Sequence, residues 1–142
     1  MQGKAGITVG AVIIKNDKVL LVKHTEKSHH KPGIYGLPSG RPNKDETLEE
    51  TCIREVKEES GIIINKKDLI RMPFLYFADI ERKDGKKTWS IIPHIVKKFS
   101  GSLEAKYETI PQWIPIKDLN KYDLLPNVKE IIKEAVELQI SH

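Results

Sequence analysis

The sequence predicts an α/β fold in which a mixed β-sheet lies between helices, and three observations predict it. Apolar β-branched runs at residues 7–14 and 19–22 precede a helical pattern at 48–60. Two more strand-like runs, 69–80 and 88–99, follow that pattern, and a second helical pattern closes the chain after Pro126. Strands, helix, strands, helix is an order that favours a mixed sheet covered on both faces over an all-parallel doubly wound sheet. A length of 142 residues with 39% hydrophobic and 31% charged side chains fits one domain spanning 1–142.

Each element has a local reason. Asn16-Asp17 between the first two runs marks a tight turn, so 7–14 and 19–22 read as a hairpin. Residues 24–42 are rich in Pro, Gly and polar side chains and read as a long loop with a short extended piece at 34–37; loops of that length inside compact domains usually carry function. Thr47 followed by Glu50 has the form of a capping box. Leu48, Cys52, Ile53 and Val56 then make an apolar stripe that stops at Gly61, so 48–60 is a helix. Asp84-Gly85 supplies the turn of a long second hairpin, residues 113–116 read as a short strand, and Pro126 suits the first turn of a helix whose core face is Val128, Ile131, Ile132, Ala135 and Val136.

The N-terminal stretch has neither the basic segment nor the cleavage site of a signal peptide, and no apolar run approaches a membrane span of roughly 18 residues. The expectation is a cytoplasmic protein without membrane contact. A single cysteine, Cys52, forms no internal disulfide and, lying on the apolar stripe, reads as buried packing and not as a nucleophile. The net charge of +4 suits an anionic ligand, but the lysines are scattered and no nucleic-acid module is evident.

The helix ends in REVKEESG, which places Glu55, Glu58 and Glu59 in its last turns. A helix C-terminus disfavours anions, and Glu55 and Glu59 also repel at i,i+4. At about 100° per residue the three acids share one face, beside the stripe formed by Cys52, Val56 and Ile53, where a lower dielectric sharpens the repulsion. A hard divalent cation reverses the sign of that problem, because Mg²⁺ or Mn²⁺ binds carboxylate oxygens and bridges to phosphates. Arg54 is placed to pair with Glu50 at i,i+4 and to reach Glu58. The bland alternative for these acids is a solvated helical face.

Read from Gly40, the chain satisfies G-x5-E-x7-R-E-U-x-E-E-x-G-U, where U is aliphatic, with Gly40, Glu46, Arg54, Glu55, Val56, Glu58, Glu59, Gly61 and Ile62. Nine such matches arise by chance in a chain this long with a probability on the order of 10⁻⁷ or less. The stretch resembles the box of the Nudix hydrolases at every fixed position. Leu37-Pro38, the N-terminal strands and a Trp followed by Asp118-Leu119 extend the resemblance over nearly the whole chain.

The resemblance implies the Nudix α/β/α sandwich and metal-dependent hydrolysis of a nucleoside diphosphate linked to another group: a nucleoside triphosphate, a nucleotide sugar such as ADP-ribose, or a dinucleoside polyphosphate. Carried over residue by residue, Glu55, Glu58 and Glu59 are the metal ligands with the carbonyl of Ser39, the metal is Mg²⁺ or Mn²⁺, and Arg54 orients an acidic partner. Gly40 and Gly61 are structural, and Glu46 either supports the loop or joins the metal through water. The general base is open among Glu55, Glu58 and a later-loop glutamate, Glu108, with Glu104 its competitor.

Candidate substrate contacts are Lys23 and Arg41 for phosphate, and Tyr35, Phe74, Tyr76, Phe77 and Trp89 for a base, against the alternative that the aromatics are core. His29 and His30 in the long loop are further phosphate candidates without zinc spacing, against the alternative of ordinary loop residues. The chain departs from many relatives at Ser39, where they carry glycine, and at Asn43 and Asp45, where they carry Glu and Gly. Two other readings stay open, hydrolysis at the 5′ end of RNA and a nucleotide-sensing domain without turnover. Many relatives pair as dimers, so a homodimer is the assembly the resemblance implies.

Overall fold

The computed structural model of the protein describes residues 6–140. In chain order its strands are β1 (Gly6–Val12), β2 (Ile14–Lys15), β3 (Lys18–His24), β4 (Tyr35–Gly36) and β5 (Ser39–Gly40), followed by helix α1 (Leu48–Ser60). Then come β6 (Leu69–Arg71), β7 (Tyr76–Arg82), β8 (Gly85–Val96), β9 (Thr109–Pro115) and helix α2 (Val128–Ile140). Short 3₁₀ turns at Lys66–Asp68 and Ile116–Lys121 lead into β6 and follow β9.

The strands form two sheets. In the first, β8 is central: it runs parallel to β1 and antiparallel to β6 and β7, while β5 pairs antiparallel with β1 on its far side. In the second, β3 pairs antiparallel with β9 along one edge and with β2 and β4 along the other. The alternation of side chains decides what each face buries. Val9, Ala11 and Ile13 go to the α1 side with Leu20, Cys52 and Val56, whereas Val12, Val19 and Leu21 go to the α2 side with Ile131, Ile132 and Ala135. All are fully or almost fully buried, and each aliphatic side chain so placed stabilises the fold by about 1.5–3 kcal/mol. The strands therefore lie between the two helices, as the order of elements predicts, but as two sheets, the first mixed and the second wholly antiparallel.

Helix α1 begins and ends where its sequence signals say. Thr47 and Glu50 exchange both hydrogen bonds of the capping box, and Gly61 takes φ 88° at the C-cap. Cys52 is buried among the α1-side core residues, and burial pushes its thiol up to about 12, so it is packing.

Four expectations change. The first two runs are not one hairpin: only β2 and β3 close over Asn16-Asp17, both left-handed at φ 51° and 64°, while β1 belongs to the other sheet because the chain passes between sheets at Ile13. The second hairpin is shorter than 69–99, with Lys83-Asp84 at its turn. Residues 72–75 interrupt the run, and β6 pairs with a separate part of β8. The strand expected at 113–116 starts earlier, at Thr109. Pro126 precedes α2 by two residues, because Asn127 between them takes φ 70°.

Candidate active site

Arg54 is the hub of the acidic cluster. Its Nε and Nη2 donate to the two oxygens of Glu46 at 2.8 and 2.9 Å, its Nη1 donates to Glu55 at 3.1 Å and to Glu58 at 2.8 Å, and Nη2 also donates to the Arg41 carbonyl at 3.0 Å. One guanidinium thus offsets three carboxylates, a geometry that suits its planar fork. The expected Glu50–Arg54 pair does not form, since Glu50 is committed to the capping box.

Glu46 supports the loop: it also accepts from the Asn43 amide at 2.9 Å and the Thr51 hydroxyl at 2.9 Å. The Arg54 hydrogen bond first, then that amide, hold its carboxyl down at about 2. Asp45, in place of the common glycine, sits left-handed at φ 64°, a conformation that Asp tolerates. Ser39 lies in strand β5 and is not among the residues with positive φ, so its Cβ meets no conformational penalty. Gly40 has a steric reason: a Cβ there would overlap the Glu55 carboxylate.

Glu59 has a different setting. Its Oε1 accepts a 2.8 Å hydrogen bond from the Ser39 amide, and burial raises its carboxyl well above the ordinary range, with the Ser39 hydrogen bond opposing and Glu55, Glu108 and Glu58 adding to the rise. Burial also raises Glu55, against the pull of Arg54. Thr109 at the start of β9 donates to the Glu59 carbonyl at 2.9 Å, and the Thr25 amide donates to the Glu108 carbonyl at 2.9 Å. These bonds set Glu108 beside the end of α1.

A cleft of about 270 Å³ opens here, lined at one end by Ser39, Gly40, Glu55, Glu59 and Glu108. Elsewhere its walls are Arg41, Tyr76, Arg82, Trp89, His24 and His30, over an apolar floor that includes Leu37, Ile91 and Ile131. The expected residues therefore divide. Glu55, Glu59, Ser39, Gly40, Glu108, Arg41 and Tyr76 line the cleft, as does Trp89. Glu58, its side chain 52% exposed, stands outside it on Arg54, and Glu104 lies over Gly61 within 4.0 Å of Lys106.

Lys23 and Tyr35 do not line the cleft. They face each other across the β3–β4 pair, and Tyr35 hydrogen-bonds Gln112 at 3.2 Å with its ring edge-on to Tyr122. Of the other aromatic candidates, Phe74 and Phe77 are exposed outside the cleft.

Among the described residues no three Asp, Glu, His or Cys side chains are already gathered as a metal shell. The donors nevertheless fit a hard cation in kind: they are all oxygen, two of them line one cleft wall, and the Glu59 carboxylate has a single amide against the charge of its acidic neighbours.

His24 and Arg82 were not anticipated. Strand β7 carries the missed signal, for Tyr76, Ala78, Ile80 and Arg82 alternate onto the cleft face while Phe77, Asp79 and Glu81 point away. The His24 and His30 rings lie tilted at 58° with 4.5 Å between centroids, and His24 Nδ1 meets the Ser28 hydroxyl at 2.7 Å. Burial first, then His30 and Arg82, lower His24 to about 4. Burial, Arg82 and His29 lower His30 to about 4, with Asp84 opposing.

Both rings are neutral at pH 7, and the unfolded chain takes up protons near 6.5 before the folded one does. Their contribution to stability is therefore complete above pH 6.5 and lost as the pH falls toward 4. Glu55 and Glu59, shifted upward, act in the opposite sense. The histidine contribution is accordingly the difference between wild type and His24→Asn/His30→Asn. In thermal unfolding from pH 7.5 to 4.5 the wild type should lose several degrees more than the double variant, and parallel curves would contradict the assignment.

The NUDIX domain profile matches residues 4–135. An ADP-ribose pyrophosphatase of Methanocaldococcus jannaschii is 39% identical over 64 residues, covering 45% of this chain and 37% of the relative. An NAD-capped RNA hydrolase, NudC, of Vibrio atlanticus is 31% identical over 134 residues, covering 89% of this chain and 42% of the relative. The chain thus spans about two fifths of the length of these relatives. Among solved structures, the MutT NUDIX hydrolase of Burkholderia pseudomallei superposes with a TM-score of 0.76 at 22% identity, over 92% of this chain and 97% of that one. The NUDIX domain of Shewanella oneidensis NrtR, solved with ADP ribose, gives 0.69 at 21% identity, over 96% and 89%.

Proposed function

The chain belongs to the NUDIX family, and from that membership we propose that it is a metal-dependent pyrophosphohydrolase acting on a nucleoside diphosphate linked to another group. The observation that carries this reading is Glu59, a part-buried carboxylate in the cleft wall whose hydrogen bond to the Ser39 amide opposes, without removing, the upward push of desolvation and of Glu55, Glu108 and Glu58. Such a site costs the fold stability unless a cation and an anionic substrate complete its charge. The substrates named for the two relatives, ADP-ribose and NAD-capped RNA, both join a nucleoside through two phosphates to a further group.

Glu55 and Glu59, with the Ser39 carbonyl, would hold Mg²⁺ or Mn²⁺ at the cleft wall, and Glu58 would join them by exchanging its Arg54 hydrogen bond for the ion. When bound, the ion neutralises phosphate oxygens and lowers the pKa of water. Glu108 is the base we favour for the attacking water: it lines the same cleft as Glu55 and Glu59 and lies outside the Arg54 hydrogen bonds that engage Glu55 and Glu58. The water oxygen bonds to phosphorus, the bridging P–O bond breaks, and the proton passes to the carboxylate. Arg54 is a positioning residue, fixing Glu55 and Glu58 and, through Glu46, the loop before α1.

The test is a product-release screen with Mg²⁺ and with Mn²⁺ over nucleoside triphosphates, ADP-ribose, nucleotide sugars, dinucleoside polyphosphates and capped RNA. Metal-dependent turnover that falls at least 100-fold in Glu108→Gln is expected. No turnover on any member, with nucleotide binding intact, would replace the reading with a sensing domain.

A further inference from the structure

The acids gather beside Gly40, which pairs with Val9 of β1, and leave unexplained the part of the cleft at Trp89, which pairs with Gly6 about 10 Å further along that strand. There two guanidinium groups stand against one indole: the Arg41 carbon lies 5.4 Å and the Arg82 carbon 5.2 Å from the Trp89 ring centroid. Among the described residues Arg41 has no ion pair, and the one carboxylate near Arg82, Asp84, is half exposed at 3.6 Å. Trp89 is 6% exposed, yet its Nε1–H has no acceptor; Arg82 Nε is buried with no hydrogen-bond acceptor closer than Asp84 at 3.6 Å, and His30 Nδ1 is buried without a hydrogen-bond partner. A buried N–H left without an acceptor is costly, so the Trp89 and Arg82 donors gathered in one cleft call for a ligand rich in acceptors. The two positive charges make that ligand an anion.

One cleft therefore carries carboxylates beside Gly40 and, further along β1, two guanidinium groups against Trp89. A diphosphate cleaved at the acidic end does not extend its own charge to Arg82, and an uncharged terminal sugar would leave the arginines uncompensated. Resting on the hydrolase reading above, we propose that Arg41, Trp89 and Arg82 form a subsite for a phosphate additional to the two joined by the scissile bond. The preferred substrates then carry three or more phosphates in a row, over those that end in an uncharged sugar such as ADP-ribose. A guanidinium pair supplies charge and forked donors to phosphate oxygens, and the indole N–H adds a neutral donor that favours an acceptor already desolvated.

Binding is measured first without metal, where the acids repel polyphosphate and only the basic end attracts it. Calorimetric titration of inorganic tripolyphosphate into Glu59→Gln protein should show saturable binding, weakened about tenfold by Arg82→Gln. The exposed Arg41→Gln, which leaves the core intact, should weaken it too. The second arm compares kcat/KM for a nucleoside triphosphate, a dinucleoside tetraphosphate and ADP-ribose in the metal-loaded enzyme. Arg41→Gln and Arg82→Gln should raise KM for the first two about tenfold and leave ADP-ribose within twofold, and the ratio between the first two tells which source of the third phosphate is used.

Equal losses on all three substrates, or tripolyphosphate binding indifferent to both arginines, would overturn the subsite. So would a nucleoside competing with the same arginine dependence, since the site would then read a base. A protein that binds tripolyphosphate through both arginines but turns nothing over would keep the subsite and remove only the hydrolase reading.

Discussion

Glu59→Gln is expected to lower kcat by roughly 100-fold or more, while the protein unfolds at the same temperature as wild type or higher. The two halves of that result have one cause. The carboxylate is part-buried and carries the repulsion of Glu55, Glu108 and Glu58, so its negative charge opposes folding, and the amide that replaces it retains an oxygen for the Ser39 N–H. What glutamine lacks is the charge that holds a divalent ion and its bound phosphate. Activity is measured with saturating Mg²⁺ and stability by thermal unfolding with chelator present, so that ion binding does not mask the gain. A variant with wild-type turnover would remove Glu59 from the metal site. A variant that loses activity only because it unfolds would show that the buried charge is supported by the fold alone.

Arg54→Ala should have the second largest effect, and unlike Glu59→Gln it should damage both properties. Removing the guanidinium leaves Glu46, Glu55 and Glu58 without their common partner and frees the Arg41 carbonyl. Hydrogen bonds to charged groups contribute about 1.5–3 kcal/mol when well made, and partial exposure puts the expected loss near the bottom of that range, about 1.5 kcal/mol. Turnover should fall at least tenfold as Glu55 and the loop before α1 lose their fixed geometry. Arg54→Lys should recover little, because an ammonium cannot reproduce the two parallel bonds to Glu46. The titration of Glu46 separates positioning from a general loss of fold. Its carboxyl sits at about 2 chiefly because of Arg54 and should move up toward 4.5 in a variant that is still folded. An unchanged Glu46 titration would mean that the Asn43 amide and Thr51 hydroxyl suffice to hold it.

The part of this site that could be read from the chain is the part built from neighbours in sequence. Thr47, Glu50, the apolar stripe and Gly61 fix helix α1 locally, and the spacing of Glu55, Glu58 and Glu59 on it follows from helical geometry. The strand partners were less legible. The pairing of β1 with β8 joins Gly6 to Trp89 across most of the chain, and no local pattern marks the crossing at Ile13. The basic end of the cleft depends on that long-range register, which brings Arg82 and Trp89 of the β7–β8 hairpin over β1 and His24 across from them. Arg82 falls between the two expected runs 69–80 and 88–99, and only the alternation from Tyr76 onward assigns it an inward face. Tyr35 was misplaced for a related reason: an aromatic in a Gly-rich loop suggests a ligand platform, but its pairing with β3 turns it toward Gln112 and Tyr122.

The bond from the Thr109 hydroxyl to the Glu59 carbonyl bears on how this chain can diverge. Because Thr109 follows Glu108 directly, and Thr25 grips the Glu108 carbonyl, that glutamate takes its position from the helix end and the neighbouring loop, downstream of the connection that leads out of β8. Side-chain changes at the exposed residues 102, 104 and 105 can accumulate without carrying Glu108 away from Glu59, because the backbone there stays tied to the helix end by the Glu104 amide, which donates to the Ser60 carbonyl at 2.9 Å. The stretch is therefore free to acquire new recognition elements while the spacing between the two acids is inherited unchanged.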